Sequence, residues 1–402
     1  MNTGTTGSQP VFSLNNLAVY NVWKSQDPRD WSGNLAAAYP SLFSNLTARQ
    51  NAVAAMYDAS PGEIVLSYNT TDACNLFMAG TPWNPGDRII TTSFEHPALA
   101  GPLAWVRDHM GVEVVVIYLP SNWTLGVPEL LSWFEAELAK PLPPGGKQYV
   151  ATCEIFYKNG VRMPVKALCQ LAGSHGAYTF IDNAHGWGMI PVKCHDYGAD
   201  FIAGAGHKWL CGGPGTGIFY VRNTGSNLPP WNGGNWASYG NLFVSPSVRY
   251  GRRDNWTPSG INGRGETNTP ALYAMTDSAR FFDSVGVQTI YERGVYLAQY
   301  LQQKIAARWG VGSMALQNFG EPEYRTFLTA VNPFQGKDSA ASFSALNAAI
   351  NRILPRLAAG TPKIYIRSIT WRDSAASRAD DRVAFRISTH AMYNNRDEID
   401  FL

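Results

Sequence analysis

The sequence predicts an α/β fold, a mostly parallel sheet covered by helices on both faces. Three observations carry that expectation. From Ile64 to Gly204, short apolar, β-prone segments alternate with helical patterns of ten or more residues, the arrangement of parallel strands joined by helical crossovers. Two of the segments, Tyr178 to Ile181 and Asp200 to Gly204, run directly into polar or glycine-rich residues, and open α/β sheets bind ligands at such strand ends. A chain of 402 residues can bury a large core and favours two domains over one.

Residues 1–20 read as an N-terminal arm ending in Ser13-Leu-Asn-Asn16, where Asn side chains favour a turn. From Leu42 to Tyr57 apolar residues recur at helical spacing, and Ile64-Val65-Leu66 is a short strand. Tyr68-Asn-Thr-Thr-Asp72 leads into the apolar-periodic Ala73 to Met78, so Thr70 and Thr71 stand at a helix N-terminus. Hydroxyls and free N–H groups there form either a plain cap or an anion site. Asp87 to Thr91 is the next strand, and Glu95-His96-Pro97 starts another helix. Strands near Val112 to Tyr118 and Tyr149 to Ile155 bracket an amphipathic helix from Pro128 to Lys140, and a helix from Val165 to His175 leads to the strand ending at Asp182.

Residues 223–265, rich in Gly, Asn, Trp and Pro and including Trp231, Trp236 and Trp256, read as a long ordered loop region. The helix around Leu297 to Trp309 opens a smaller domain, completed by a strand from Arg325 to Val331, a helix from Ala341 to Leu354, and strands from Lys363 to Ile369 and Val383 to Ile387. In the last strand Arg386 lies on the opposite face from Phe385 and Ile387. The expected divisions are an arm over 1–20 that joins the small domain, a large domain over 21–285 and a small domain over 286–402.

The net charge of +2 and the absence of any Lys/Arg-rich run argue against a nucleic-acid partner. No stretch approaches a membrane-spanning apolar run, and the opening MNTGTTGSQPVF has neither a charged n-region nor an apolar h-region. A soluble, cytoplasmic protein is expected, with an exported form whose signal has been removed as the alternative. The five cysteines, Cys74, Cys153, Cys169, Cys194 and Cys211, are odd in number and contain no CxxC, against a disulfide framework or a structural zinc site. No metal is expected.

Lys208 follows Asp182 by 26 positions, about the span of one crossover unit, which sets two strand ends side by side. On composition alone the pair fits a helix-capping Asp and a solvated Lys as well as a site. The flanking His207 and Trp209, and the run Gly212, Gly213, Gly215 and Gly217, make surroundings in which an ammonium is poorly solvated and loses its proton readily, as an imine-forming lysine requires.

The ordered set Asp182-x-x-His185-Gly186, Gly198-Ala-Asp-Phe201, Gly206-His-Lys-Trp-Leu-Cys-Gly212 and Gly215-Thr-Gly217 resembles the pyridoxal-phosphate signature of class V aminotransferases, in particular their isopenicillin-N-epimerase-like branch. The resemblance implies a fold-type I enzyme, with a seven-stranded-type sheet in a large cofactor-binding domain and a smaller α+β C-terminal domain. It implies that Lys208 carries pyridoxal 5′-phosphate as an imine and later shuttles protons, and that Asp182 keeps the pyridine nitrogen protonated. His96 is implied to stack on the ring, His185 to lie near the 3-oxygen, and Thr70, Thr71 and His207 to lie at the phosphate. Gly265-Glu-Thr-Asn-Thr269-Pro270 resembles the segment whose Thr reaches the neighbouring subunit's phosphate, which implies a homodimer with shared active sites. Phe385-Arg386-Ile-Ser-Thr-His390 resembles the family's terminal motif, whose Arg holds a substrate carboxylate, and Asn16 stands where relatives bring Leu-Asn-Asn near the substrate.

Two positions depart from the family pattern. Tyr157 takes the place of a small polar residue or Asn beside the 3-oxygen, and Ala205 replaces a Ser or Asn that bonds the phosphate. The implied activity is a lyase or natural-product tailoring reaction at Cα or Cβ of an amino acid or an amino-acid-derived secondary metabolite. The alternatives are an aminotransferase or epimerase of the same family, a non-catalytic binding protein of the same fold, and a cysteine desulfurase. The last is disfavoured because no Cys follows Cys211 in this sequence.

Overall fold

A computed structural model of the chain describes residues 3–26, 46–60, 63–81, 83–120, 122–222, 267–334, 340–361, 363–371 and 382–402. The larger unit is built on seven strands: β1 (Ile64–Ser67), β2 (Arg88–Thr92), β3 (Glu113–Ile117), β4 (Gln148–Cys153), β5 (Tyr178–Asp182), β6 (Phe201–Ala205) and β7 (Gly217–Val221). Their order is β1-β7-β6-β5-β4-β2-β3. β7 runs against both its neighbours, and the remaining pairs are parallel. The glycine run ending at Gly217 leads directly into β7, a strand not expected from the sequence. That return strand closes the chain back onto β6, so the loop holding Lys208 is pinned at both ends by neighbouring strands at one end of the sheet.

The helices of this unit are α1 (Val11–Gln26), α2 (Leu46–Met56), α3 (Thr70–Gly80), α4 (Pro97–Met110), α5 (Val127–Leu138), α6 (Val165–Ser174), α7 (Cys194–Tyr197) and α8 (Thr269–Val285), joined by the first turns of α9 (Val287–Trp309), whose later turns enter the smaller unit's core. They cover both faces of the sheet, and the two-residue period of the strands sorts their side chains. Phe180, Phe201, Ala203 and Phe219 join Phe77 of α3 and Leu99, Leu103 and Val106 of α4 in one core layer. Ile181, Ile202, Ile218 and Tyr220 enter the other, with Leu130 and Phe134 of α5 and Leu168 of α6. Phe77 stacks on Phe180 at 4.5 Å. Strands buried on both faces read as near-continuous apolar runs, as β6 and β7 do.

Within the expected arm over 1–20, residues from Val11 onward are helical. α1 docks on α8: Ser13 Oγ donates to the Ala274 carbonyl at 2.7 Å, and Tyr20 Oη and Asn16 Nδ2 donate to Asp277 Oδ2 at 2.7 and 2.9 Å. Arg49 of α2 completes the group with an ion pair to Asp277 Oδ1 at 2.7 Å. A buried carboxylate requires such donors, and meeting that need fixes Asn16 in a helix rather than in a turn.

The smaller unit holds β8 (Leu328–Val331), β9 (Arg367–Trp371) and β10 (Arg382–Ser388) in the antiparallel order β8-β10-β9, with α10 (Ala340–Ala359) and α11 (Arg396–Phe401). Leu301, Ile305, Leu346, Ile350, Val383, Phe385 and Ile387 form its own core. Gly286, with φ +89°, separates α8 from α9. The tryptophan-rich stretch 223–265 lies outside the described residues. Among the described residues no helix is long and apolar enough to cross a membrane.

Candidate active site

At the carboxyl ends of β5 and β6, the starts of α3 and α4 and the residues of β9 and β10 enclose a cavity of about 220 Å³. Asp182, the last residue of β5, lies between Cys153 and Ala203 in register. Its Oδ1 accepts the Ala184 N–H at 2.9 Å, while Oδ2 is buried with no hydrogen-bond partner. Burial raises its pKa, opposed by the Ala184 N–H, by Lys208 and by the nearby Cys153 thiol. An unpaired buried carboxylate oxygen costs on the order of 1–3 kcal/mol, and on the wall of a cavity it fits a ligand that brings a proton.

Lys208 sits in the loop from β6 to β7. That loop is tight because it contains glycines: a Cβ on Gly206 would stand 2.2 Å from Met275 Sδ, and one on Gly212 2.3 Å from Met275 Cγ. Lys208 Nζ lies 3.2 Å from His185 Nε2, and Trp209 Nε1 donates to His185 Nδ1 at 3.0 Å. An indole N–H only donates, so His185 accepts at Nδ1 and the neutral ring carries its proton on Nε2, toward Lys208. That contact is a hydrogen bond when Lys208 is the free amine. The electrostatics agree, since burial drives His185 well below its ordinary pKa and brings Lys208 down to about 8 against an upward pull from Asp182.

Asn69 caps α3 by accepting the Asp72 N–H at 2.9 Å. Thr70 and Thr71 follow it and line the cavity, and Thr70 Oγ1 is buried without a partner. A hydroxyl without a partner at a helix N-terminus is suited to an anion. His207 lines the cavity as well, and its carbonyl accepts the Gly7 N–H at 2.8 Å. Ala205 is buried in β6 opposite Gly217 and offers no side-chain donor there.

His96 caps α4 through Nδ1, which accepts the Ala98 N–H at 3.1 Å. Its ring meets Tyr157 edge-on at 4.8 Å, and burial, then Lys208, lowers its pKa to about 4. The preceding Glu95 is buried outside the lining. It accepts from Thr92 Oγ1, Thr152 Oγ1 and the Cys153 N–H at 2.6 to 2.8 Å, which ties the turn before α4 to β4.

Arg386 projects from β10 and is 1% exposed. Nη1 donates to the Tyr157 carbonyl at 2.9 Å and Nη2 to Thr5 Oγ1 at 3.3 Å. Burial first, and then the neighbouring Arg367, lowers its pKa to about 10.

Nine residues singled out from the sequence thus share one cavity: Lys208, Asp182, His185, His96, Thr70, Thr71, His207, Tyr157 and Arg386. Asn16 and Thr269 are not among the lining residues. Asn16 is committed to Asp277 on α8, and the arm reaches the cavity through Gly4 and Thr5 instead. Thr269 opens α8, with Oγ1 3.3 Å from Thr267 Oγ1. Sequence reasoning missed Gly4, Thr5, Asn69 and Arg367. The one sign of Arg367 in the sequence is a charge within the β-prone run around Ile364 and Ile366.

The family model for class V aminotransferases matches residues 30–402. Among curated proteins, the chain is 30% identical over 246 residues to a cysteine desulfurase of Pectobacterium atrosepticum, covering 60% of this chain and 56% of that protein. It is 26% identical over 314 residues to a probable cysteine desulfurase 1 of Mycobacterium leprae, covering 77% and 48%. The chain spans about half the length of these curated relatives. Among solved structures, a complex between the cystine C-S lyase C-DES and its reaction product cysteine persulfide gives a TM-score of 0.72 at 16% identity, over 100% of this chain and 94% of that one. At that identity the likeness shows the fold alone.

Proposed function

Since the chain belongs to the class V aminotransferase family, a fold-type I family whose cofactor is pyridoxal 5′-phosphate, we propose that it is a lyase or tailoring enzyme acting at Cα or Cβ of an α-amino acid, or of a metabolite that retains a free α-carboxylate. The observation that carries this reading is one cavity holding the unpartnered Asp182 oxygen, the Lys208 amine and the buried Arg386. Lys208, Asp182, His96, His185, His207, Thr70 and Thr71 would hold the cofactor. When bound, it supplies an imine-forming aldehyde and a ring that accepts electrons from the substrate's Cα.

The chain's own residues do the rest. Burial, which brings its pKa down to about 8, makes the free amine of Lys208 far more accessible near neutral pH than that of an exposed lysine, so that it can attach the cofactor and, once displaced, take a proton from Cα. Asp182 Oδ2 would hold the proton on the ring nitrogen. His185 donates from Nε2, and Thr70, Thr71 and the first amides of α3 take the phosphate that Ala205 cannot bond. Arg386 takes the substrate's carboxylate through charge-assisted hydrogen bonds.

Cysteine desulfuration is a second reading, supported by the names of the curated relatives. All five cysteines are buried, and none lines the cavity. Cys211 donates or accepts at Tyr393 Oη, and burial raises its thiol to about 12. A sulfur released at this site would therefore leave on a small molecule rather than on a thiol of this chain. Borohydride treatment of the purified protein tests the cofactor assignment: a visible band is expected, which should bleach while cofactor mass appears on the peptide containing Lys208. A Lys208→Ala protein that still gains that mass would overturn the assignment.

A further inference from the structure

Arg386 is not alone on its face of the small sheet. β9 and β10 are antiparallel, and Arg367 stands directly opposite Arg386, so the two side chains leave the sheet on the same side. Both guanidiniums reach Thr5 Oγ1, Arg386 Nη2 at 3.3 Å and Arg367 Nη1 at 3.4 Å. Like charges facing each other across a strand pair are destabilising. Among the described residues, Asp182 is the one carboxylate in the cavity lining, against Lys208, Arg367 and Arg386, and neither arginine takes part in a salt bridge within 4.0 Å. The anion site at the start of α3 belongs to a different element and is assigned to the cofactor's phosphate. The positive pair on the small sheet is left for the substrate.

The two arginines differ in depth, which argues against a single clamp on one carboxylate. Arg386 is buried, its Nη atoms are held by Tyr157 and Thr5, and its Nε has no partner. Arg367 is exposed at the mouth. We propose that the substrate is an amino acid with a second acidic group, its α-carboxylate on Arg386 and its distal acid on Arg367. This rests on the reading of Arg386 as the α-carboxylate site.

The test uses acids that lack an amine and so cannot react with the lysine: malonate, succinate, glutarate and adipate, each beside its monoamide. Their binding to the purified holoprotein is measured by calorimetry. The best diacid should bind about 10-fold more tightly than its monoamide, the lower end for a charge-assisted contact because Arg367 is exposed. Arg367→Gln should bring that ratio to about one, and Arg367→Lys should restore part of it. Equal binding of every diacid and its monoamide, or a preference that survives Arg367→Gln, overturns the proposal. Borohydride labelling of Lys208 on the same preparation keeps the two readings apart. A labelled protein without diacid preference defeats the second acid alone, and an unlabelled protein that keeps the preference defeats the cofactor assignment alone.

Discussion

Replacing Asp182 by Asn separates charge from shape. The carboxamide oxygen can still accept the Ala184 N–H, now at 2.9 Å, and a neutral NH2 group replaces the charged oxygen that has no partner. In cofactor-free protein the change should raise stability. Burial holds the Asp182 pKa above its usual range, so near neutral pH the fold carries a charge it disfavours, and a neutral amide has a smaller desolvation penalty. The gain should be on the order of 1–3 kcal/mol. Its pH dependence has a definite sign: a carboxyl whose folded pKa is raised contributes fully at low pH and loses that contribution as pH rises through the folded value. The difference between variant and wild type should therefore grow from pH 4 to pH 8. In the loaded enzyme the same substitution should lower turnover at least about 100-fold, because losing a preorganised charge partner costs roughly 3 kcal/mol or more. Lys208 offers an independent reading, since Asp182 pulls its pKa upward and the variant should titrate below about 8. Thermal unfolding of the cofactor-free proteins at the two pH values, paired with steady-state kinetics, decides the matter. A variant less stable than wild type with near-normal turnover would show that Asp182 is a structural acid and refute the reasoning.

Arg386→Lys keeps the charge and loses the paired donors that now reach Tyr157 and Thr5; kcat/KM for an amino acid should fall about 10- to 100-fold, the scale of roughly 1.5–3 kcal/mol. If wild type handles that amino acid and its decarboxylated amine equally, and the variant changes neither, Arg386 has no part in binding the carboxylate. The active unit should be a homodimer in which Thr269 approaches the neighbouring subunit's cofactor phosphate. Light scattering during turnover that finds a fully active monomer would end that assignment.

The residues that carry local chemistry are legible in the amino-acid sequence alone. Asp182 ends an apolar β-prone run, Thr70 and Thr71 precede an apolar helical period, and Lys208 lies in a glycine-dense loop; each follows from near neighbours in the chain. Strand period alone also places Arg386 on the face opposite Phe385 and Ile387, and the fold buries those two in the small unit's core. Contacts between distant segments lie beyond that reach. Period tells which face a side chain takes but not which residue of another strand stands beside it, so Arg367 joins the site only through the register of β9 on β10. The arm likewise reaches the cavity through Gly4 and Thr5, because Asn16, the residue its motif suggested, is drawn into a helix by the buried Asp277, 261 positions away. The same holds for the proton on His185, whose position depends on an indole 24 residues later in the chain. The sequence by itself determined the kind of sheet and the chemistry at its strand ends; the packing of remote segments decided which charges share the cavity, because burial and register are properties of the folded chain as a whole.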